Sequence, residues 1–133
     1  MKRKICVVVT ARPSYSRVKK ALEAINNHEK LELQLIVSAS ALLSRYGNAV
    51  NFIEKDGFKI TDKVYSIVDG ENLISAAKTT GLSIIELSSV FKRINPDIVV
   101  TIADRYETIA TAIAASFMNI PLAHLQGGEF TGN

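Results

Sequence analysis

The chain has 133 residues, of which 47% are hydrophobic and 22% are charged, as in ordinary globular proteins. This length allows one domain with one core, and a net charge of +3 is too small to indicate a nucleic-acid-binding protein. The single cysteine, Cys6, excludes an intrachain disulfide and a cysteine-based zinc site. Because it lies in an apolar run, we expect it in the core. Neither a membrane-spanning run nor a signal-peptide core is found, so a cytoplasmic protein without membrane contacts is expected.

Five apolar runs predict the strands of the fold. The runs through residues 5–9, 98–102 and 122–125 lack the polar alternation of half-exposed strands, which is typical of strands that are buried on both faces of a parallel sheet. The runs cover residues 4–10, 32–38, 64–68, 97–103 and 121–125.

Helical patterns lie between these strands. After Ser14, apolar residues recur at helical spacing as far as Ile25. Ser14 or Ser16 is expected to cap this helix, with Pro13 near its start. The other predicted helices cover residues 48–56, 71–80, 83–93 and 107–118, with a break at Gly81 and a stop at Asn95-Pro96.

The alternation of strands and helices predicts the fold class. It indicates an α/β, Rossmann-like three-layer domain in which helices cover both faces of a parallel sheet. Residues 127–133 are typical of a loop after the fifth strand, with no helix to follow it. We therefore expect residues 1–133 to form one domain, incomplete at its end, of a longer protein.

Charged side chains follow two of the strands directly. Arg12 lies where the first strand leads into a helix, and such a helix N-terminus with an arginine is suited to phosphate oxygens. The alternative is a surface arginine paired with a local acid. Asp104 and Arg105 follow the fourth strand. Asp104 could cap the next helix or serve as an acid or base, and Arg105 could be a second phosphate ligand; these roles are compatible.

The last strand leads into two glycines and an acid. Gly127-Gly128 allows the backbone to approach a ligand closely, and Glu129 follows it. We interpret His124 as a core histidine bonded to a backbone carbonyl rather than as a catalytic group, and His28 as the end of a helix. Neither a P-loop nor a G-x-G-x-x-G motif is present, and no metal site is expected from the spacing of possible ligands.

Taken together, these segments resemble the hydrolysing UDP-N-acetylglucosamine 2-epimerases of sialic and related nonulosonic acid biosynthesis. The resemblance spans essentially the whole chain. Its motifs cover residues 10–16, 46–48, 67–71, 95–100, 103–107 and 124–132.

The resemblance implies two Rossmann-like domains in the glycosyltransferase-B arrangement, with this chain as the N-terminal one. It implies a UDP-linked acetamido sugar as substrate, bound between the two domains, and no cofactor. UDP is eliminated across C1–C2 of the sugar, and water adds to the 2-acetamidoglucal intermediate to release N-acetylmannosamine. It further implies a homo-oligomer. We expect the 133-residue chain to be inactive without its missing C-terminal domain.

The resemblance also implies roles for residues that follow the strands. Arg12 and Ser16 would contact the UDP diphosphate, with Arg105 also on the nucleotide side. Asp104 would be the carboxylate used in acid–base work.

A second carboxylate in the family often lies two residues after the strand histidine, and Gln126 stands at that position. A glutamine cannot exchange a proton, so it could only orient substrate or water. Glu129 is the conjectured replacement. This departure suggests a relative that acts on another UDP- or GDP-linked acetamido sugar.

Two other functions stay open at this point. The chain could be a non-catalytic, truncated module that binds a nucleotide or another chain. It could also belong to a glycosyltransferase of the same architecture. The motifs around Asp104 and Glu129 disfavour that alternative, because a transferase needs no base aimed at C2.

Overall fold

Parallel strands form one five-stranded sheet in the computed structural model, which describes residues 1–42, 49–67, 72–102 and 106–125. Their order across the sheet is β3-β2-β1-β4-β5, and every neighbouring pair is parallel. Four of the predicted strands are confirmed; the third, expected over residues 64–68, is wrong in position, because β3 ends at Val64 and residues 65–67 are not in a strand. The strands are β1 (Arg3–Val9), β2 (Leu31–Ser38), β3 (Asp62–Val64), β4 (Ile98–Ile102) and β5 (Leu122–Leu125).

Helices lie between the strands in the chain and cover both faces of the sheet, as the sequence predicts. One core cluster joins the β1 residues Val7 and Val9 to Leu22 and Ile53, and the other joins Cys6 and Val8 to elements on the opposite face. The helices are α1 (Arg12–Asn27), a 3-10 turn (Ala39–Leu42), α2 (Ala49–Lys55), α3 (Leu73–Ile94) and α4 (Tyr106–Phe117). The fold is therefore a Rossmann-like α/β domain.

The central strand β1 carries the burial pattern that the sequence predicts, and Cys6 is fully buried in it. The same expectation is wrong for β5, where Leu122 and Leu125 are exposed. The difference follows from position, because β5 lies at the edge of the sheet and pairs with β4 alone among the described strands. An apolar run by itself does not reveal whether a strand is central or at an edge.

The predicted break at Gly81 is wrong, because α3 runs continuously from Leu73 to Ile94. A glycine within a helix costs about 1 kcal/mol relative to alanine. The buried residues Thr79 and Ser83 flank Gly81 on the packed side of α3, and tertiary packing outweighs that local preference. The predicted stop is confirmed, since Asn95 ends the helix in the left-handed conformation with φ 49°.

The predicted serine cap of α1 is also wrong. The helix begins at Arg12, and the residue before it, Ala11, has extended backbone and makes no side-chain cap. Ser14 lies inside the helix and is buried. Pro13 falls in the first turn, as expected, where its missing N–H costs no helical hydrogen bond.

Candidate functional site

The turn from β1 into α1 lies at the carboxyl edge of the sheet. The N–H of Ala41, in the 3-10 turn after β2, donates to the carbonyl oxygen of Thr10 at 3.1 Å. This bond ties the ends of β1 and β2 together and holds the entrance to α1. Arg12 is exposed at the first position of the helix.

The N-terminus of α1 is suited to an anion. Within the part of the chain that the structure describes, its N-cap residue Ala11 supplies no capping side chain, and the first turn contains no acidic residue. Free N–H groups and the helix dipole attract negative charge there. Arg12 adds a guanidinium, whose planar set of donors matches phosphate oxygens.

Ser16 lies one turn along α1 and is exposed. Its hydroxyl donates to the carbonyl oxygen of Arg12 at 3.4 Å, a long bond that is easily exchanged for a ligand. Residues four apart share a helix face. The structure thus brings together Arg12 and Ser16, both predicted diphosphate ligands.

The Arg12 guanidinium lies over an aromatic ring of α2. Its Cζ atom lies 4.3 Å from the ring centroid of Phe52, within the range of a cation–π contact. Phe52 was not among the residues predicted from the sequence. One signal for it was present: Phe52 is an aromatic residue of α2 that lies beside the face formed by the buried residues Ala49, Val50 and Ile53.

A polar cluster joins α1 to the end of α2. The Tyr15 hydroxyl donates to the carboxylate of Asp56, and Lys19 Nζ lies 3.2 Å from the same carboxylate. The hydrogen bonds from Tyr15 and then Lys19 lower the pKa of Asp56. Burial, followed by the bond to Asp56, raises the pKa of Tyr15 well above its ordinary value. At neutral pH the cluster therefore holds a neutral phenol on an ionised carboxylate.

The strand order reverses beside β1, which pairs with both β2 and β4. In open parallel sheets, ligands bind at such a switch point, outside the carboxyl ends of the strands. Val7 pairs with Val100, so β1 and β4 end at the same edge. The predicted residues Asp104 and Arg105 come after β4 in the chain and lie outside the described residues.

A side-chain bond joins β4 to β5 near the same edge. Thr101 Oγ1 lies 2.7 Å from His124 Nδ1, and the two residues are paired in the sheet. The interpretation of His124 as a core residue bonded to a backbone carbonyl is wrong: its partner is a hydroxyl, and the residue is exposed because β5 is the last strand of the sheet among the described residues. Gln126 and Glu129, which follow β5, lie outside the described residues.

The described residues were also searched for metal ligands, membrane-spanning helices and cavities. Across residues 1–42, 49–67, 72–102 and 106–125, His, Cys, Asp and Glu side chains form no group of three that could hold a metal ion. Within those same ranges, no helix is both long and apolar enough to cross a bilayer. An open cavity of about 400 Å³ beside β3 contains none of the predicted site residues.

Comparison with known sequences points to one family. The profile of the UDP-N-acetylglucosamine 2-epimerase family matches residues 23–133. The chain is 37% identical to the GDP/UDP-N,N'-diacetylbacillosamine 2-epimerase (hydrolyzing) of Campylobacter jejuni, over 98% of this chain and 34% of that protein. It is 36% identical to the UDP-N,N'-diacetylbacillosamine 2-epimerase (hydrolyzing) of Legionella pneumophila, over 99% of this chain and 35% of that protein. The chain thus spans about a third of the length of these relatives.

Solved structures show the same fold. The UDP-GlcNAc 2-epimerase from Neisseria meningitidis bound to UDP-GlcNAc superposes with a TM-score of 0.82 at 21% identity, over 98% of this chain and 33% of that one. Another UDP-N-acetylglucosamine 2-epimerase gives a TM-score of 0.83 at 23% identity, over 100% of this chain and 35% of that one. With its Rossmann-like sheet and a profile match over most of its length, the chain belongs to the UDP-N-acetylglucosamine 2-epimerase family.

Proposed function

We propose that this chain supplies the N-terminal domain of a hydrolysing nucleotide-sugar 2-epimerase of the two-domain, glycosyltransferase-B arrangement. The observation that carries the proposal is the position of Arg12: an exposed guanidinium on an uncapped helix N-terminus, at the carboxyl edge beside the sheet's switch point. A leaving UDP carries its charge on phosphate oxygens, and this is where such charge is best stabilised.

The proposed reaction has two steps. In the first, a base removes the C2 proton, the C2–H electron pair forms the C1=C2 double bond, and the C1–O bond breaks as UDP leaves with its electron pair. In the second, water adds to the 2-acetamidoglucal, with hydroxide at C1 and a proton at C2. Arg12, Ser16 and the proposed ligand Arg105 meet the charge of the leaving UDP.

Acid–base work is assigned to residues that follow β4 and β5. We propose that Asp104 exchanges a proton with the sugar, that Gln126 orients substrate or water, and that Glu129 supplies a second carboxylate. A carboxylate is a suitable base for such a proton only when it is held within hydrogen-bond reach of it.

For the substrate we propose a nucleotide-linked diacetamido sugar. The relatives named for N,N'-diacetylbacillosamine are 37% and 36% identical to this chain, whereas a UDP-N-acetylglucosamine 2-epimerase of Neisseria meningitidis is 30% identical. UDP-N-acetylglucosamine is the competing substrate. A homo-oligomer remains an expectation from the resemblance, and a cytoplasmic location remains an expectation from the sequence.

The test uses the protein expressed from its complete reading frame. It is incubated in D₂O with UDP-N,N'-diacetylbacillosamine or UDP-N-acetylglucosamine, and products are followed by NMR. We expect free UDP together with a free 2-epimeric sugar that carries deuterium at C2. An epimer still linked to UDP would show a non-hydrolysing enzyme, and transfer of the sugar to an added acceptor would show a glycosyltransferase; either result overturns the proposal.

A further inference from the structure

Phe52 lies outside the hydrophobic core, so core packing does not account for this aromatic residue. Its helix α2 already buries Ala49, Val50 and Ile53, while the Phe52 side chain remains 42% exposed. What it contacts instead is the guanidinium of Arg12, with Cζ 4.3 Å from the ring centroid. A half-exposed aromatic ring beneath an exposed cation indicates a role at the helix N-terminus rather than in packing.

A cation–π contact does not pair the hydrogen-bond donors of an arginine with an acceptor. The guanidinium carries five N–H donors, and its attraction to the ring is electrostatic rather than a hydrogen bond to an oxygen. The ion pairs found among the described residues involve Lys19, Lys63 and Arg93. In this part of the chain, Arg12 is therefore held by a contact that leaves its donors available to phosphate oxygens.

The backbone of Phe52 is linked to that of Asp56, one turn along the chain. The N–H of Asp56 donates to the carbonyl oxygen of Phe52 at 2.9 Å, so the two residues belong to one helical turn. The Asp56 carboxylate is bound by Tyr15 and Lys19 of α1. The ring of α2 and the cation of α1 thus belong to two helices that are joined by a second set of contacts.

We propose that Phe52 is a positioning residue that holds the Arg12 guanidinium ready for the diphosphate of the nucleotide sugar, an inference that rests on the proposed function. A free arginine side chain has many rotamers, and ordering it opposes binding. The Phe52 ring orders the Arg12 side chain before the ligand binds. Loss of the ring should weaken binding of the diphosphate and leave binding of the nucleoside unchanged.

The test is calorimetric titration of the protein from its complete reading frame with UDP and with uridine. We expect F52L to weaken UDP binding about two- to fivefold, the size of an exposed cation–π contact, with unchanged affinity for uridine. F52Y keeps a ring and should retain wild-type affinity. F117L is the matched control, because Phe117 of α4 is 87% exposed and lies outside this cluster. The ratio of the two affinities does not depend on how much of a variant is folded.

Epistasis with Arg12 separates positioning from a general structural effect. In an R12A background, F52L should cause no further loss of UDP affinity. The Arg12 Nε–H resonance should also lose its ring-current shift in F52L. Equal weakening of UDP and uridine binding by F52L, or an undiminished effect in the R12A background, would overturn the positioning role.

Different results would contradict the positioning role of Phe52 and the proposed function. If R12A weakens UDP binding and F52L does not, Phe52 has no positioning role and the proposed function stands. If R12A itself leaves UDP affinity unchanged, the proposed function fails at its central residue.

Discussion

The phenol of Tyr15 donates a hydrogen bond to the carboxylate of Asp56, joining the first turn of α1 to the end of α2. Tyr15 is buried beneath this contact, and its ring meets that of Phe58 edge-on, with centroids 6.4 Å apart. The pair therefore couples the packing of one sheet face to the surface on which Arg12 and Phe52 meet.

Replacing Tyr15 with phenylalanine should destabilise the protein by about 1 kcal/mol, because the ring packing is kept and one hydrogen bond is lost. Urea denaturation measures this difference. Tyr65→Phe is the matched control, since the Tyr65 side chain is 73% exposed, and it should change stability by less than about 0.5 kcal/mol. Equal effects of the two substitutions would contradict a stabilising role for the Tyr15–Asp56 bond.

The same pair predicts a loss of stability in acid. The pKa of Asp56 in the folded protein is lowered from its ordinary 3.8, so folding favours the ionised carboxylate. Its contribution is complete above pH 3.8 and declines as the pH falls through the lowered value. The difference in unfolding free energy between wild type and Asp56→Asn should therefore shrink in acid. A difference that is constant from neutral pH to about pH 2 would contradict the ionisation linkage.

The Thr101–His124 bond predicts a specific change in the imidazole. Thr101→Val removes the hydroxyl that lies 2.7 Å from Nδ1 while it keeps the shape of the buried side chain. We expect the ¹⁵N shifts of both His124 ring nitrogens to move, because the partner of Nδ1 determines which nitrogen carries the proton. Thr101→Ser should restore the wild-type shifts. Identical spectra for the valine and serine variants would show that no such bond exists in solution.

Burial makes Cys6 inert as a thiol. Desolvation raises the pKa of Cys6 from 9.0 to about 12, so at neutral pH almost no thiolate is available to react. Iodoacetamide should label the Cys6 peptide only after denaturation, as quantified by mass spectrometry. Ser89→Cys on the exposed side of α3 provides the positive control under native conditions. Native labelling of both peptides at similar rates would contradict the buried position.

The order and type of the main elements follow from the sequence, because hydrophobic periodicity records which faces are buried. The apolar run around Cys6 correctly identified the strand β1, and the helical spacing after Ser14 correctly identified the helix α1. Local signals were less reliable where packing competes with them. Gly81 did not break α3, since buried neighbours hold that helix together, and neither serine capped α1.

Only the tertiary structure decided which elements meet. Residues 12 and 52 are forty positions apart, and no local pattern records that a ring of α2 lies beneath a cation of α1; the contact exists because both helices pack on the same face of the sheet. The position of β5 at the edge of the described sheet likewise left His124 exposed, although it lies within an apolar run. The place of Arg12 at a strand-to-helix turn was recognisable from the sequence, because local sequence determines where a strand ends and a helix begins. Its partner Phe52 depends on helix packing, which arises from contacts between distant parts of the chain.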